Sequence, residues 1–76
     1  MDEIQLVLAT IEQLARKKGL SINLLADFSG LDRGHVSRLL RGEKSPTLRT
    51  LKKLSDALEL SLFELFEIAS RQRGGA

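Results

Sequence analysis

Residues 22–41 read INLLADFSGLDRGHVSRLLR and decide the fold of this chain. The stretch predicts two short helices that cross at a steep angle, because Ala26 is small at the crossing and Gly30 can adopt the positive φ that ends the first helix. Val36 and Leu39 would turn one face of the second helix into the core. Such a helix-turn-helix is the usual device for placing a helix in the major groove of DNA.

Length and composition limit the chain to one small globular domain. Its 76 residues are 42% hydrophobic and 29% charged, as in ordinary folded domains. It has no cysteine, which excludes disulfides and thiolate metal sites. No apolar run approaches the roughly 20 residues of a membrane span, and no signal segment opens the chain. We expect a cytoplasmic protein without membrane, metal or cofactor, with residues 1–70 as the single domain and residues 71–76 as a frayed tail.

Charge is segregated along the chain, although the net charge is only +2. Residues 31–53, which cover the second helix of the motif and the segment after it, carry a net charge of +5, whereas residues 54–70 carry −4. A run of charge is most often a solvated surface. Here the basic segment coincides with the helix-turn-helix, and this coincidence favours double-stranded DNA as the partner.

Apolar spacing and capping residues predict five helices and no strand. The predicted helices begin at or near Asp2, Ser21, Asp32, Thr47 and Ser61. Ser61 and Glu64 have the spacing of a capping box. The side chains expected to face the core from the first and fourth helices are Ile4, Val7, Leu8, Ile11, Leu14, Ala15, Leu48, Leu51, Leu54 and Leu58.

An ordered set of short motifs extends over all of these helices. The motifs are KGLS at 18–21, LA at 25–26, SGL at 29–31, VSRLLRG at 36–42, SPTL at 45–48 and SLFELF at 61–66. Together they resemble the Cro/phage-repressor family of helix-turn-helix proteins, often called Xre-like. The resemblance implies an all-α, five-helix, lambda-repressor-like domain with its helix-turn-helix at helices 2 and 3. It also implies a transcriptional regulator that acts as a dimer on a near-palindromic operator.

The chain departs from the family pattern in two places. Many members carry Gln where this chain has Ile22, and that Gln reaches a DNA phosphate. Ser21, Asn23 or the amides at the start of helix 2 could take over the contact. Many members also join helices 1 and 3 by a buried Arg–Glu bridge at the positions of Ala15 and Leu40. Both residues are apolar here, so neither charge is stranded in the core.

By this resemblance the base-reading positions of helix 3 are Arg33, Gly34 and Arg38, with Ser37 beside them. Each arginine could form a bidentate pair of hydrogen bonds with O6 and N7 of a guanine. The alternative is that one of the two contacts only a phosphate. Gly34 costs roughly 1 kcal/mol relative to Ala inside a helix. A close approach of the backbone to DNA and simple tolerance in a short helix explain it equally well.

Further polar residues are candidates for contacts with the DNA backbone. The loop after helix 3 and the start of helix 4 place cations near phosphates. The only histidine is either a rim contact to DNA or a plain exposed residue, and we favour the second. The full set of backbone candidates is Ser21, Asn23, His35, Arg41, Lys44 and Arg49. No catalytic or metal-binding set of side chains is visible, so we expect no enzymatic activity.

Helix 5 has more apolar residues than one buried face requires. Packing against helix 1 could use all of them, but we favour a two-fold dimer interface with Phe63 as its anchor. The interface candidates are Leu62, Phe63, Phe66 and Ile68. The sequence therefore predicts a homodimeric repressor or controller that reads an inverted-repeat operator. The alternative is an antitoxin or another interaction module whose helix 5 binds a partner protein.

Overall fold

A computed structural model describes residues 2–74 and contains five α-helices within that range. They are α1 Glu3–Lys17, α2 Ile22–Ser29, α3 Arg33–Leu40, α4 Leu48–Ala57 and α5 Leu62–Gly74. The predicted all-α fold, with α2 and α3 as the helix-turn-helix, is confirmed. α5 continues to Gly74, so the first four residues of the predicted tail belong to this helix. The last two residues of the predicted tail lie outside the described residues.

Each helix starts directly after a residue whose side chain caps it. The side-chain oxygen accepts a hydrogen bond from the backbone N–H three residues later, which satisfies one of the otherwise unpaired donors of the first turn. The caps are Asp2, Ser21, Asp32, Thr47 and Ser61. At α5 the capping is reciprocal, since the Ser61 N–H donates to Glu64 Oε1 at 2.8 Å. The helix starts are therefore encoded by short local motifs.

Each of the first four helices is followed, one or two positions later, by a residue with left-handed backbone. The residue after it then donates its N–H to a carbonyl five positions back, as Leu31 does to Ala26 at 3.0 Å. The left-handed residues, with φ between 60° and 77°, are Gly19, Gly30, Gly42 and Glu59. Three of the four are glycines, which adopt this conformation without steric cost. Glu59 is the exception, and its backbone is strained.

Glu59→Gly is expected to stabilise the domain by about 0.5–1 kcal/mol, because left-handed backbone costs a residue with a β-carbon roughly 1–2 kcal/mol and the flexibility of unfolded glycine offsets only part of this. The ion pair that would be lost, with Lys18 Nζ at 3.8 Å, joins two exposed groups and contributes little. Thermal denaturation should show a rise of roughly 2–8 °C. Glu59→Ala is the control, since it removes the ion pair and keeps the β-carbon. An equal gain in Glu59→Ala would contradict the strain explanation.

The core is formed by side chains from all five helices. Its buried members are Leu8, Ile11, Ala15, Leu25, Ala26, Val36, Leu39, Leu51, Leu54, Leu58 and Leu65. α5 packs against α1 and α4, whereas α3 packs against α1 and α2. The predicted DNA-reading helix and the predicted dimer helix are thus held by different pairs of neighbours. No helix within the described residues is long and apolar enough to cross a membrane.

Two residues expected to face the core lie at the surface instead. Leu48 is 66% exposed and Ile4 is also exposed, so both predictions are wrong. The physical reason is their place in the first turns of α4 and α1, where side chains lean toward the helix start and past the neighbouring helices. Together with Phe66 of α5 they border an open groove. The other predicted core positions of α1 and α4 are buried or half-buried.

Candidate nucleic-acid interface

The buried side of α3 fixes its angle to α2. Val36 and Leu39 are fully buried and Ala26 is 2% exposed at the helix crossing, as the sequence predicts. Gly30 ends α2 with a φ of 72°. The Ser29 hydroxyl donates to the Ala26 carbonyl at 3.1 Å, which holds the last turn of α2 without help from outside the motif. α3 is therefore carried on a rigid support, as a DNA-reading helix requires.

The opposite side of α3 presents the four predicted base-reading residues. Arg33 and Arg38 are exposed, and Gly34 and Ser37 are half-buried. Positions 33 and 37, like positions 34 and 38, are four residues apart and so lie one above the other on the helix. The fold thus brings these four residues together on one outward face, with two fixed positive charges.

Arg38 and Asp32 both lie against Gly34. A β-carbon placed on Gly34 would be 3.5 Å from Arg38 Nη1 and 3.0 Å from Asp32 Oδ2. The same carboxylate oxygen accepts the His35 N–H at 3.1 Å and so caps α3. Sequence reasoning missed this grouping, although the spacing of four residues between Gly34 and Arg38 signals that the two are neighbours.

The loop between α3 and α4 adds two cations that have partners within the chain. Arg41 Nε lies 2.9 Å from Glu43 Oε2, in an exposed ion pair. Lys44 Nζ lies 3.5 Å from His35 Nδ1, so His35 links α3 to the loop. Arg41, Lys44 and His35 were each candidates from the sequence. The two pairs in which they take part were not predicted. Because Glu43 offsets the charge of Arg41, Lys44 contributes more to the positive potential of the loop.

The remaining candidates for backbone contacts lie at helix starts. Ser21 Oγ accepts the Leu24 N–H at 3.2 Å, which leaves the hydroxyl hydrogen available to donate. Asn23 is exposed in the first turn of α2, and Arg49 is exposed in the first turn of α4. At both places unpaired backbone N–H groups favour an anion. These positions therefore stay candidates for phosphate contacts, whereas Ile22 brings no polar group.

The exposed side of α5 is apolar at one edge. Phe63 is 82% exposed, and Phe66, one turn later, is half-buried. Phe66 lines a surface groove of about 530 Å³ together with Ile4 and Leu48. Leu62 and Ile68 are also half-buried, but Ile68 is two positions after Phe66 and lies about 200° further round the helix. The four predicted interface residues therefore do not form one surface, because Ile68 lies on the other side of α5.

Sequence comparisons place the helix-turn-helix motif among known regulators. The helix-turn-helix family model matches residues 11–65. The transcriptional regulator SlrR of Bacillus subtilis (strain 168) is 43% identical over 53 residues, which are 68% of this chain and 35% of SlrR. The chain thus spans about a third of that relative. The uncharacterized transcriptional regulator y4dJ of Sinorhizobium fredii (strain NBRC 101917 / NGR234) is 38% identical over 65 residues, 86% of this chain and 84% of y4dJ.

Solved structures extend the similarity to the whole fold, α5 included. The wild-type restriction-modification controller protein C.Esp1396I matches with a TM-score of 0.91 and 25% identity, over 100% of this chain and 99% of the controller. The same controller, as a tetramer in complex with its natural 35 base-pair operator, matches with a TM-score of 0.87 and 27% identity over 93% of each chain. These neighbours are DNA-bound or DNA-binding controllers with the same arrangement of helices.

Proposed function

Since this chain belongs to the Cro/phage-repressor type of the helix-turn-helix family, we propose that it reads an inverted-repeat operator as a homodimer. Membership of the family makes it a DNA-binding regulator of transcription. The two-fold arrangement, the operator symmetry and the residues in contact are our proposal. The observation that carries it is the outward face of α3, where Arg33 and Arg38 project from a helix whose other face is fully buried.

Base reading is assigned to the two arginines of α3. A guanidinium can donate two parallel hydrogen bonds to O6 and N7 of guanine, a contact worth roughly 1–3 kcal/mol of discrimination against other bases. Ser37 lies beside them on the same face and can donate or accept with any base edge. The preferred half-site should therefore contain guanines at the positions that the two arginines reach.

Contacts with the DNA backbone are assigned to residues around α3 rather than on its reading face. They are Ser21, Asn23, His35, Arg41, Lys44 and Arg49. Their contribution is electrostatic and independent of sequence, so it weakens as salt concentration rises. In the free protein Arg41 adds less positive potential than Lys44 does, because the Glu43 carboxylate, 2.9 Å from Arg41 Nε, offsets its charge.

Dimerisation is assigned to the edge of α5 that carries Phe63. Phe63 is 82% exposed, and Phe66, Ile4 and Leu48 border a groove on the same side of the domain, so the apolar surface here extends beyond a single side chain. A two-fold axis between the copies would seat Phe63 of each copy against the groove of the other. Within α5, Glu64 and Glu67 balance Arg71 and Arg73, so this helix has no net positive charge that would draw it to phosphates.

The size of the domain is compatible with two reading helices on one face of DNA. Its principal dimensions are 31, 24 and 21 Å. Two copies joined through α5 would hold their centres about one such width apart, the same scale as the roughly 34 Å between major grooves one turn apart. These dimensions are compatible with an inverted repeat whose half-sites are one helical turn apart.

Selection of bound DNA from a random pool tests the proposal. We expect enriched sequences with two inverted half-sites, each containing guanine, whose centres are about 10 base pairs apart. Enrichment of single, unrepeated sites would contradict the dimeric arrangement. A pool that shows no enrichment at any salt concentration would contradict sequence-specific binding. That second result would favour the interaction-module hypothesis, for which the exposed Phe63 and its groove are the specific observation.

A further inference from the structure

We propose that Arg16 is a further DNA-binding residue, which leaves its partner Glu12 to bind the phosphates in front of the start of α2. The inference rests on the proposed function, since it requires α2 to begin beside the DNA. It goes beyond that function because it adds the last turn of α1 to an interface otherwise formed by α2, α3 and the segment around the start of α4. The ligand is the sugar-phosphate backbone of double-stranded DNA.

A small concavity joins the end of α1 to the helix-turn-helix. Glu12 and Arg16 of α1 line it together with Ser21 and Ile22 at the start of α2 and Leu40 at the end of α3. Its volume is about 200 Å³, so the residues around it are close neighbours. Arg16 therefore borders the place where Ser21 caps α2. A phosphate held against the start of α2 is within reach of this long side chain.

Arg16 is held loosely in the free protein. Its side chain is 78% exposed, and Nη2 lies 3.4 Å from Glu12 Oε1. That distance is longer than the roughly 2.7–2.9 Å of a strong charge-assisted hydrogen bond. Exposed pairs of this kind contribute little to stability. Arg16 can therefore exchange the carboxylate for a phosphate without disturbing α1.

Glu12 makes a cation at position 16 necessary for DNA binding at this place. Its half-buried side chain borders the same concavity, and a carboxylate there repels an approaching phosphate. Arg16 carries the charge that offsets this repulsion, while Ile22 brings no polar group of its own. Arg16 and Glu12 are thus expected to have opposite effects on DNA affinity.

Arg16 also complements the cation of the loop after α3. Lys44 Nζ lies 3.5 Å from His35, in the first turn of α3, whereas Arg16 borders Leu40, the last residue of α3. The two cations therefore lie near opposite ends of the reading helix. Cations at both ends hold such a helix against both edges of the major groove, because phosphates border the groove on each side.

The competing explanation is that Arg16 and Glu12 form an ordinary solvated surface pair. A surface pair predicts that both single substitutions leave DNA affinity unchanged, or change it in the same direction through a common loss of the pair. Our proposal predicts changes of opposite sign. The sign of the two effects therefore distinguishes a DNA contact from a purely structural pair.

The test measures the affinity of full-length variants for the selected operator and for a shuffled sequence over a range of salt concentrations. Arg16→Ala should weaken both DNAs alike, about 3- to 10-fold at 0.1 M salt, with a salt slope smaller by about 0.9. Glu12→Gln should strengthen both roughly 2- to 5-fold, because it removes a negative charge next to the phosphates. Alanine favours helix, so α1 should remain folded, as thermal denaturation can verify.

Arg71→Ala and Glu67→Gln are the matched controls. They break the same type of exposed pair, an arginine four residues after a glutamate, but on α5. Both should leave affinity within about 2-fold and the salt slope unchanged, because charges farther than a Debye length from the DNA are screened. The comparison is made at protein concentrations where sedimentation shows the same species for every variant.

An Arg16→Ala protein that behaves like Arg71→Ala, while Lys44→Ala weakens binding, would overturn the role of Arg16 and leave the proposed function intact. Weakening by both Arg16→Ala and Glu12→Gln would overturn it as well, since the pair itself and not the cation would then matter. A wild-type protein that binds no DNA at any salt concentration would overturn both the role of Arg16 and the proposed function.

Discussion

Phe63→Asp is expected to convert the dimer into a monomer and to lower affinity for the operator by about 100-fold or more, since the two half-sites would no longer be bound as one unit. Phe63 is the most exposed large hydrophobic side chain among the described residues, at 82%. In a two-fold interface the substitution introduces a pair of carboxylates close to Glu64 and Glu67, and like charges at close range are repulsive. Sedimentation over a range of protein concentrations measures the change directly.

Phe28→Asp is the matched control for this experiment. Phe28 is also an exposed phenylalanine, at 62%, but it lies near the end of α2 and not on α5. Its replacement should leave the sedimentation coefficient unchanged. A dimer that persists in Phe63→Asp would contradict the assignment of the interface to α5. A wild-type protein that is monomeric at every concentration would contradict homodimerisation and favour a different protein as the partner of this surface.

The groove beside Phe63 offers an independent check of the same interface. Leu48 is 66% exposed in the first turn of α4, where an acidic residue interacts favourably with the helix dipole. Leu48→Asp should therefore fold normally and yet weaken the dimer, because it places a charge where Phe63 of the other copy is proposed to dock. Weakening by both substitutions would support docking of Phe63 in the groove. Weakening by Phe63→Asp alone would restrict the interface to α5.

The helices could be predicted closely from the sequence because their ends are encoded locally. Capping oxygens such as that of Ser61 bond to N–H groups three residues away, and a left-handed glycine such as Gly30 needs no distant partner to end a helix. Leu48 and Ile4 could not be placed from their spacing, since burial depends on how far the neighbouring helices extend. The spacing of apolar residues indicates a face, but it does not say where that face ends.

The candidate site was predictable in part, for the same reason. The outward position of Arg33 and Arg38 follows from the burial of Val36 and Leu39, because opposite faces of a helix are fixed by its period. The helical period does not predict which side chains the charged residues contact. The contact between Lys44 and His35 depends on the path of a loop. Helix geometry alone predicts that Ile68 and Phe66 lie on different sides of α5. They were predicted to share one interface only because both are apolar.

Loss of sequence preference is the second large effect, and it should follow from Arg33→Ala combined with Arg38→Ala. Each bidentate contact supplies roughly 1–3 kcal/mol of discrimination, so removal of both should lower the affinity for the selected operator by about 30-fold or more. Affinity for random DNA should fall much less, because the contacts outside the reading face remain. Competition binding with the selected operator and with a shuffled sequence of equal length measures the two losses separately.

Lys44→Ala should show the opposite pattern and so separates phosphate binding from base reading. It removes a loop cation whose contribution does not depend on sequence, so the operator and the shuffled DNA should weaken alike, with a salt slope smaller by about 0.9. Lys53→Ala, at an exposed position of α4, is the control of equal charge and should change neither affinity nor slope. If the two arginine substitutions weakened both DNAs equally, as Lys44→Ala should, then α3 would bind phosphates rather than read bases. The distinction depends on the ratio of the two affinities, because loss of a positive charge next to the DNA lowers both.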